Sequence, residues 1–169
     1  WFKLAADQGH SDAQNSLGRM YMNGYGVPRD YAEAFKWFKL AADQGHSDAQ
    51  NSLGYMYFYG YGVRQDYAEA FKWYKLSADQ GNPDAQFSLG MTYMKGYGVP
   101  KDYVEGLKWL KLSADQGYIY AQSMLGLYYK SGYGVPQDYA EALKWFKLSA
   151  DQGHSHAQLD VGSLYLFGD

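Results

Sequence analysis

The chain has 169 residues, 47% of them hydrophobic and 19% aromatic, and a net charge of −3. That mild acidity, with no basic run anywhere, gives no case for nucleic-acid binding. The absence of cysteine excludes disulfides, thiolate metal sites and a cysteine nucleophile, and no apolar stretch approaches the roughly 18 residues of a transmembrane segment. Residue 1 is a tryptophan and no signal peptide is visible, so the chain reads as a fragment or a processed form.

Self-comparison gives the organisation. Asp-Gln-Gly recurs at 7–9, 43–45, 79–81, 115–117 and 151–153, a step of 36 residues. Trp1, Trp37, Trp73, Trp109 and Trp145 keep the same step, and residues 1–18 are identical to 37–54. A fixed period of this size marks a solenoid. Residues 1–9 form a partial repeat, followed by units at about 10–45, 46–81, 82–117 and 118–153 and a partial repeat at 154–169.

In chain order, each unit opens with a helix, near 11–23, 47–59, 83–95, 119–131 and 155–167. Ala13, Leu17 and Tyr21 form its buried stripe, and Asn82-Pro83 is a good N-cap and N1 pair. Gly18, Gly54, Gly90, Gly126 and Gly162 cost about 1 kcal/mol each in helix propensity, which suggests close helix contact in return.

GYGV follows at 24–27, 60–63, 96–99 and 132–135. A glycine-spaced loop could cradle phosphate, but such a loop follows a strand and feeds a helix, and no strand pattern exists here. Gly24 instead reads as the glycine that ends a helix. Tyr25 is then expected to pack back on the last turn, and Gly26 to take a second unusual backbone angle.

The second helix of each unit starts at Asp30, Asp66, Asp102 and Asp138, each followed three residues later by glutamate, an aspartate version of the capping box. Tyr31, Ala34, Phe38 and Ala42 follow helical spacing, Trp37 and Ala41 widen the apolar face, and Gly45 ends the helix. Short turns make neighbouring helices antiparallel.

Ala49-Gln50, Leu53-Gly54, Tyr57, Gly60-Tyr-Gly62-Val63, Asp66-Tyr67, Ala70, Trp73 and Ala78-Asp-Gln-Gly81 together resemble the signature of the Sel1-like repeat family, a relative of the tetratricopeptide repeat. A tetratricopeptide unit has 34 residues and begins W-x2-L-G-x2-Y. Here Gln50 replaces the tryptophan while Leu53-Gly54 and Tyr57 are kept. The resemblance covers essentially the whole chain. It implies an all-α fold, a right-handed α/α superhelical solenoid of 36-residue helix-turn-helix repeats. It also implies a non-enzymatic adaptor that binds a protein or peptide partner, as members do in bacterial signalling, host interaction or endoplasmic-reticulum quality control. Cysteine-rich bacterial members, linked to penicillin binding and β-lactamase activity, are not matched, because this chain has no cysteine.

Catalytic chemistry finds little support. No S-x-x-K exists, and Lys130-Ser131-Gly132 shares its register with Met94-Lys95-Gly96, so it reads as a helix end. His10, His46 and His154 lie in one register a repeat or more apart, too far to share a metal with bonds of about 2 Å. His154 and His156 have no carboxylate or cysteine in a ligand pattern. The carboxylates mostly cap helices, and the tryptophans keep core registers, which disfavours a sugar-stacking platform. No cofactor is implied. A cell-wall or glycan-associated binder or enzyme, and a structural spacer in a larger protein, are the alternative readings.

A solenoid must repeat whatever holds its units together, so positions that vary between units are free of that duty. On the first helices they fall opposite the fixed face. They are Asn15, Arg19 and Met22; Asn51, Tyr55, Phe58 and Tyr59; Phe87, Met91 and Met94; and Ser123, Leu127 and Lys130. By analogy with related repeats this face lines a concave groove, and methionine and aromatic residues suit adaptable protein contacts. The alternative is that these side chains complete a broad core between units. Tyr118-Ile119-Tyr120, bulky where other units have small polar residues, marks either a contact surface or drift in a tolerant turn. Trp1 starts mid-helix and Leu166-Phe167 end a helix with no following partner, which leaves the terminal helices as surfaces for further repeats or end-to-end self-association.

Overall fold

The structure, a computed structural model, describes residues 1–167. Gly168 and Asp169, part of the last partial repeat in the sequence, lie outside the described residues, as does the side chain of Phe167. Ten α-helices and no strand occur among the described residues: α1 Phe2–Asp7, α2 Ser11–Asn23, α3 Tyr31–Asp43, α4 Ser47–Tyr59, α5 Tyr67–Asp79, α6 Pro83–Lys95, α7 Tyr103–Asp115, α8 Ile119–Ser131, α9 Tyr139–Asp151 and α10 Ser155–Phe167. They form two compact units. The first holds Trp1–Ala85 with Tyr97–Pro100, the second Gln86–Gly96 with the chain from Lys101 onward.

The helix ends follow from a few side chains. Asp30 Oδ1 accepts from the Ala32 and Glu33 amides at 2.9 and 3.0 Å, and Asp66 and Asp102 repeat the arrangement. Asn82 caps α6 through a bond from the Ala85 amide at 2.9 Å. Each such cap is worth about 1 kcal/mol. The reciprocal half of the capping box is not made. The Asp30, Asp66, Asp102 and Asp138 amides instead donate to the carbonyls of Tyr21, Tyr57, Tyr93 and Tyr129, at 2.9–3.0 Å. With that amide taken, the glutamates turn outward. Glu33 pairs with Lys36, Glu69 with Lys72, Glu105 with Lys108 and Glu141 with Lys144.

Two glutamine registers bind the helices of each repeat. Gln50 is buried in the position where a tetratricopeptide unit has tryptophan. Its amide donates to the Ala42 carbonyl at 3.3 Å, and its Oε1 accepts from Gln80 at 2.7 Å. Gln14 with Gln44, Gln86 with Gln116 and Gln122 with Gln152 repeat the side-chain bond at 2.7–2.8 Å. A buried amide that bonds in both directions avoids the penalty of an unmade hydrogen bond, about 1–3 kcal/mol.

Gly18, Gly54 and Gly126 sit where aromatic rings cross, and Gly90 where Leu110 and the Gly106 carbonyl approach. A Cβ on Gly54 would lie 2.5 Å from the Tyr74 ring, and one on Gly126 2.5 Å from the Phe146 ring. The close contact expected from the sequence is therefore present at Gly18, Gly54, Gly90 and Gly126, where packing offsets the helix propensity lost, but not at Gly162, where a Cβ would meet nothing within 4 Å. The first unit's core is Ala34, Phe38, Ala41, Ala42, Ala49, Leu53 and Met56. The second is built on Met94, Leu110, Ala114, Ala121, Leu125, Tyr128 and Trp145. Trp37, Trp73 and Trp109 are half-buried and Trp145 is buried, whereas Trp1 is fully exposed; Trp73 lies against the first core with Lys39 over its ring, 5.4 Å from the centroid.

Candidate partner-binding surface

GYGV ends one helix and also joins one repeat to the preceding one. Gly24 and Gly60 close α2 and α4 in the left-handed region. The second glycine meets the start of the previous repeat's second helix. A Cβ on Gly62 (φ +68°) would stand 2.2 Å from the Tyr31 carbonyl oxygen, and one on Gly98 2.1 Å from that of Tyr67. Only glycine fits there, on grounds of both angle and space.

The tyrosine between the two glycines does not serve its own helix alone, as the sequence suggested. Tyr61 stacks on Tyr31, with centroids 4.7 Å apart and planes at 15°, and Tyr97 stacks on Tyr67 at 5.0 Å and 27°. Tyr133 meets Tyr103 edge-on at 5.0 Å, with the two hydroxyls 2.6 Å apart. Tyr25 has 67% of its surface exposed.

In the first unit this seam grows into a patch. Residues 55, 58 and 59 of α4 are tyrosine, phenylalanine and tyrosine, where α2 carries Arg19, Met22 and Asn23. Tyr59 stacks on Tyr61 at 5.7 Å and meets Tyr55 at 4.5 Å. Phe58 meets Tyr59, Tyr67 and Tyr97 at 5.0–5.4 Å. Tyr31, Tyr61, Tyr55, Tyr59, Phe58, Tyr67 and Tyr97 thus form one continuous aromatic network. Tyr55 and Tyr59 remain 39% and 51% exposed. Burial, and then the neighbouring Tyr61, Tyr59 and Tyr31, hold the Tyr55 hydroxyl above its ordinary pKa, so it is a neutral donor at physiological pH. Gln65 braces the rim, donating to the Phe58 carbonyl at 2.7 Å and to the Tyr67 hydroxyl at 3.2 Å.

The remaining candidate residues separate by burial. Met94 is 1% exposed and belongs to the second core, which corrects its assignment to an open face. The cause lies opposite it: Gly106 stands where other repeats have Ala34, Ala70 and Ala142, and a Cβ there would be 2.6 Å from Met94 Cγ. Asn15 and Ser123 are also buried, and Phe87 and Met91 lie half-buried against the second core. Asn51 is half-buried, and the Oδ1 atoms of Asn15 and Asn51 are buried without a hydrogen-bond partner. Met22 packs half-buried on the first core. Lys130 binds Asp160 at 2.7 Å. Arg19 and Leu127 are exposed. Tyr118 packs on the second core, so only Tyr120 of the 118–120 turn is exposed. Exposed and core residues are thus both present on the variable face, residue by residue.

Tyr31, Tyr61, Tyr67 and Tyr97 were assigned from sequence to packing and turns, yet they complete the patch. The available signal was the second fixed tyrosine register, 30 residues from the first. Among the described residues, no group of three or more His, Asp or Glu side chains could hold a metal ion, and no helix is long and apolar enough to cross a membrane.

Comparison with known proteins decides the family. The Sel1 repeat model matches residues 1–10, 11–46, 47–82, 83–118, 119–154 and 155–169. The chain belongs to the Sel1 repeat family. Its repeats are framed one residue later by the family model than by the sequence period. Sel1 repeats commonly serve as protein-interaction scaffolds. A protective antigen of uropathogenic Escherichia coli displaying an SLR fold is 43% identical with a TM-score of 0.94, over 99% of this chain and 36% of that one. A Sel1 repeat protein of Oxalobacter formigenes is 39% identical with a TM-score of 0.90, over 95% of this chain and 65% of that one. An immunity protein of Pseudomonas aeruginosa is 26% identical with a TM-score of 0.66, over 92% of this chain and 58% of that one. This chain therefore spans less than two thirds of the length of each. No curated protein matches it significantly.

Proposed function

We propose that this Sel1 repeat chain is a non-catalytic interaction module whose docking surface for a protein or peptide is the aromatic patch of the first unit. The observation that carries this reading is the pair Tyr55 and Tyr59, exposed in the midst of a seven-ring network although the repeat itself does not require them. The equivalent positions hold Arg19 and Asn23, Met91 and Lys95, and Leu127 and Ser131. Tyrosine supplies a large rigid contact area with a polar tip at low entropy cost, which favours it at interfaces. Neighbouring rings already fix these two, so little freedom is left to lose on binding.

The test is a selection of random linear peptides on the intact chain, followed by chemical-shift mapping of a selected peptide. The reading expects the largest shifts at Tyr55, Phe58 and Tyr59. Shifts confined to other surfaces would overturn it.

A further inference from the structure

Resting on that docking surface, we propose that the segment it receives is an acidic peptide with apolar anchors. The chain has three arginines, Arg19, Arg29 and Arg64, and all lie in the first unit, which carries the patch. The Arg29 guanidinium stands over the Tyr31 ring, 5.5 Å from its centroid, and Tyr31 stacks on Tyr61. Arg64 immediately precedes Gln65, the side chain that joins Phe58 to Tyr67. Arg19 holds on α2 the position that Tyr55 holds on α4.

None of the three has a carboxylate within ion-pair distance among the described residues. Most lysines do: Lys3, Lys36, Lys39, Lys72, Lys108, Lys111, Lys130 and Lys144 each pair with an acid. The nearby acids are engaged elsewhere. Asp30 and Asp66 accept backbone amides at helix N-termini, and Glu33 and Glu69 are held by Lys36 and Lys72. The patch is therefore aromatic at its centre, with the unpaired Arg29 guanidinium against its Tyr31 edge and the exposed, unpaired Arg64 next in sequence to Gln65 at its rim. Guanidinium is weakly hydrated, and its planar fork matches a carboxylate. The complement is a segment whose aromatic or aliphatic side chains meet Tyr55, Phe58 and Tyr59 while its Asp or Glu side chains reach the arginines.

The other repeats make the arginines separable from the fold. Gln65 and Gln137 occupy the register of Arg29, and Pro28, Pro100 and Pro136 that of Arg64. Arg29→Gln and Arg64→Pro thus install residues the repeat already accommodates.

The experiment takes the peptides selected on the intact 169-residue chain and measures Kd by calorimetry for each peptide and its Asn/Gln isostere. The chain is used unaltered, as the Arg29→Gln/Arg64→Pro variant, and as Tyr55→Ser/Tyr59→Ser. The tightest binders are expected to be net negative. They should weaken by about fivefold or more as the isostere, on the arginine variant, and on raising salt from low to several hundred millimolar. Peptides that require Tyr55 and Tyr59 but are neutral, proline-rich or basic, or are indifferent to the arginines, would overturn this inference and leave the docking surface standing. Absence of any peptide requiring Tyr55 and Tyr59 would overturn both.

Discussion

Gly62 and Tyr31 touch backbone to backbone: the place a Cβ would take on Gly62 lies 2.2 Å from the Tyr31 carbonyl oxygen, while Tyr61 next to it stacks on the Tyr31 ring. One loop thus ends a helix, sets the approach of two repeats and aligns the rings that make the patch. Gly62→Ala should cost about 2–4 kcal/mol, from the positive φ and the displaced backbone together. Gly134→Ala, where the nearest atom is the Tyr103 Cβ at 3.1 Å, should cost less. Thermal melting of the two variants checks the order.

Gln80→Ala removes the donor to the buried Gln50 Oε1. The variant should lose about 1–3 kcal/mol, the penalty of a buried acceptor left alone. The double variant Gln50→Met/Gln80→Met should recover part of that loss, since no polar atom is then stranded. Urea denaturation of the single and double variants measures the difference.

Met94 and Tyr59 come from the same variable face but should differ sharply in what their loss costs. Met94→Ala empties a fully buried site and should cost about 2–5 kcal/mol. Tyr59→Ser, at a half-exposed position, should cost about 1 kcal/mol or less. Melting temperatures measured side by side decide between them.

Burial raises the hydroxyl pKa values of Tyr55, Tyr57 and Tyr128 above the ordinary value near 10. Each folded-state value exceeds its unfolded value, so the stability these groups contribute is fully present below about pH 10 and is lost as pH rises through the folded value. Stability should therefore decline above about pH 10. Tyrosinate absorbance should show a late-ionising fraction, and on unfolding the delay should disappear.

Much of the fold was legible in the sequence because each device repeats: the Asp30-type caps, the terminating glycines, and the Gly54 register that admits Tyr74. The contacts between distant positions were not legible. Tyr31 and Tyr61 are 30 residues apart and meet only through the repeat seam. Met94 varies between units, yet it is core, because Gly106 lost a methyl group where Met94 needed the space. Variation between repeats marks freedom from the shared packing plan and leaves room for local pairs that pack in their own way. Tyr55, Phe58 and Tyr59 were found by that variation, and their partners Tyr31, Tyr67 and Tyr97 only by the structure.

The most direct measurement is calorimetric Kd for a selected peptide on the unaltered chain and on Tyr55→Ser/Tyr59→Ser, with melting recorded for both. The docking surface predicts an affinity loss of about tenfold or more while the melting temperature stays within a few degrees. Unchanged affinity in a variant that melts normally would contradict it.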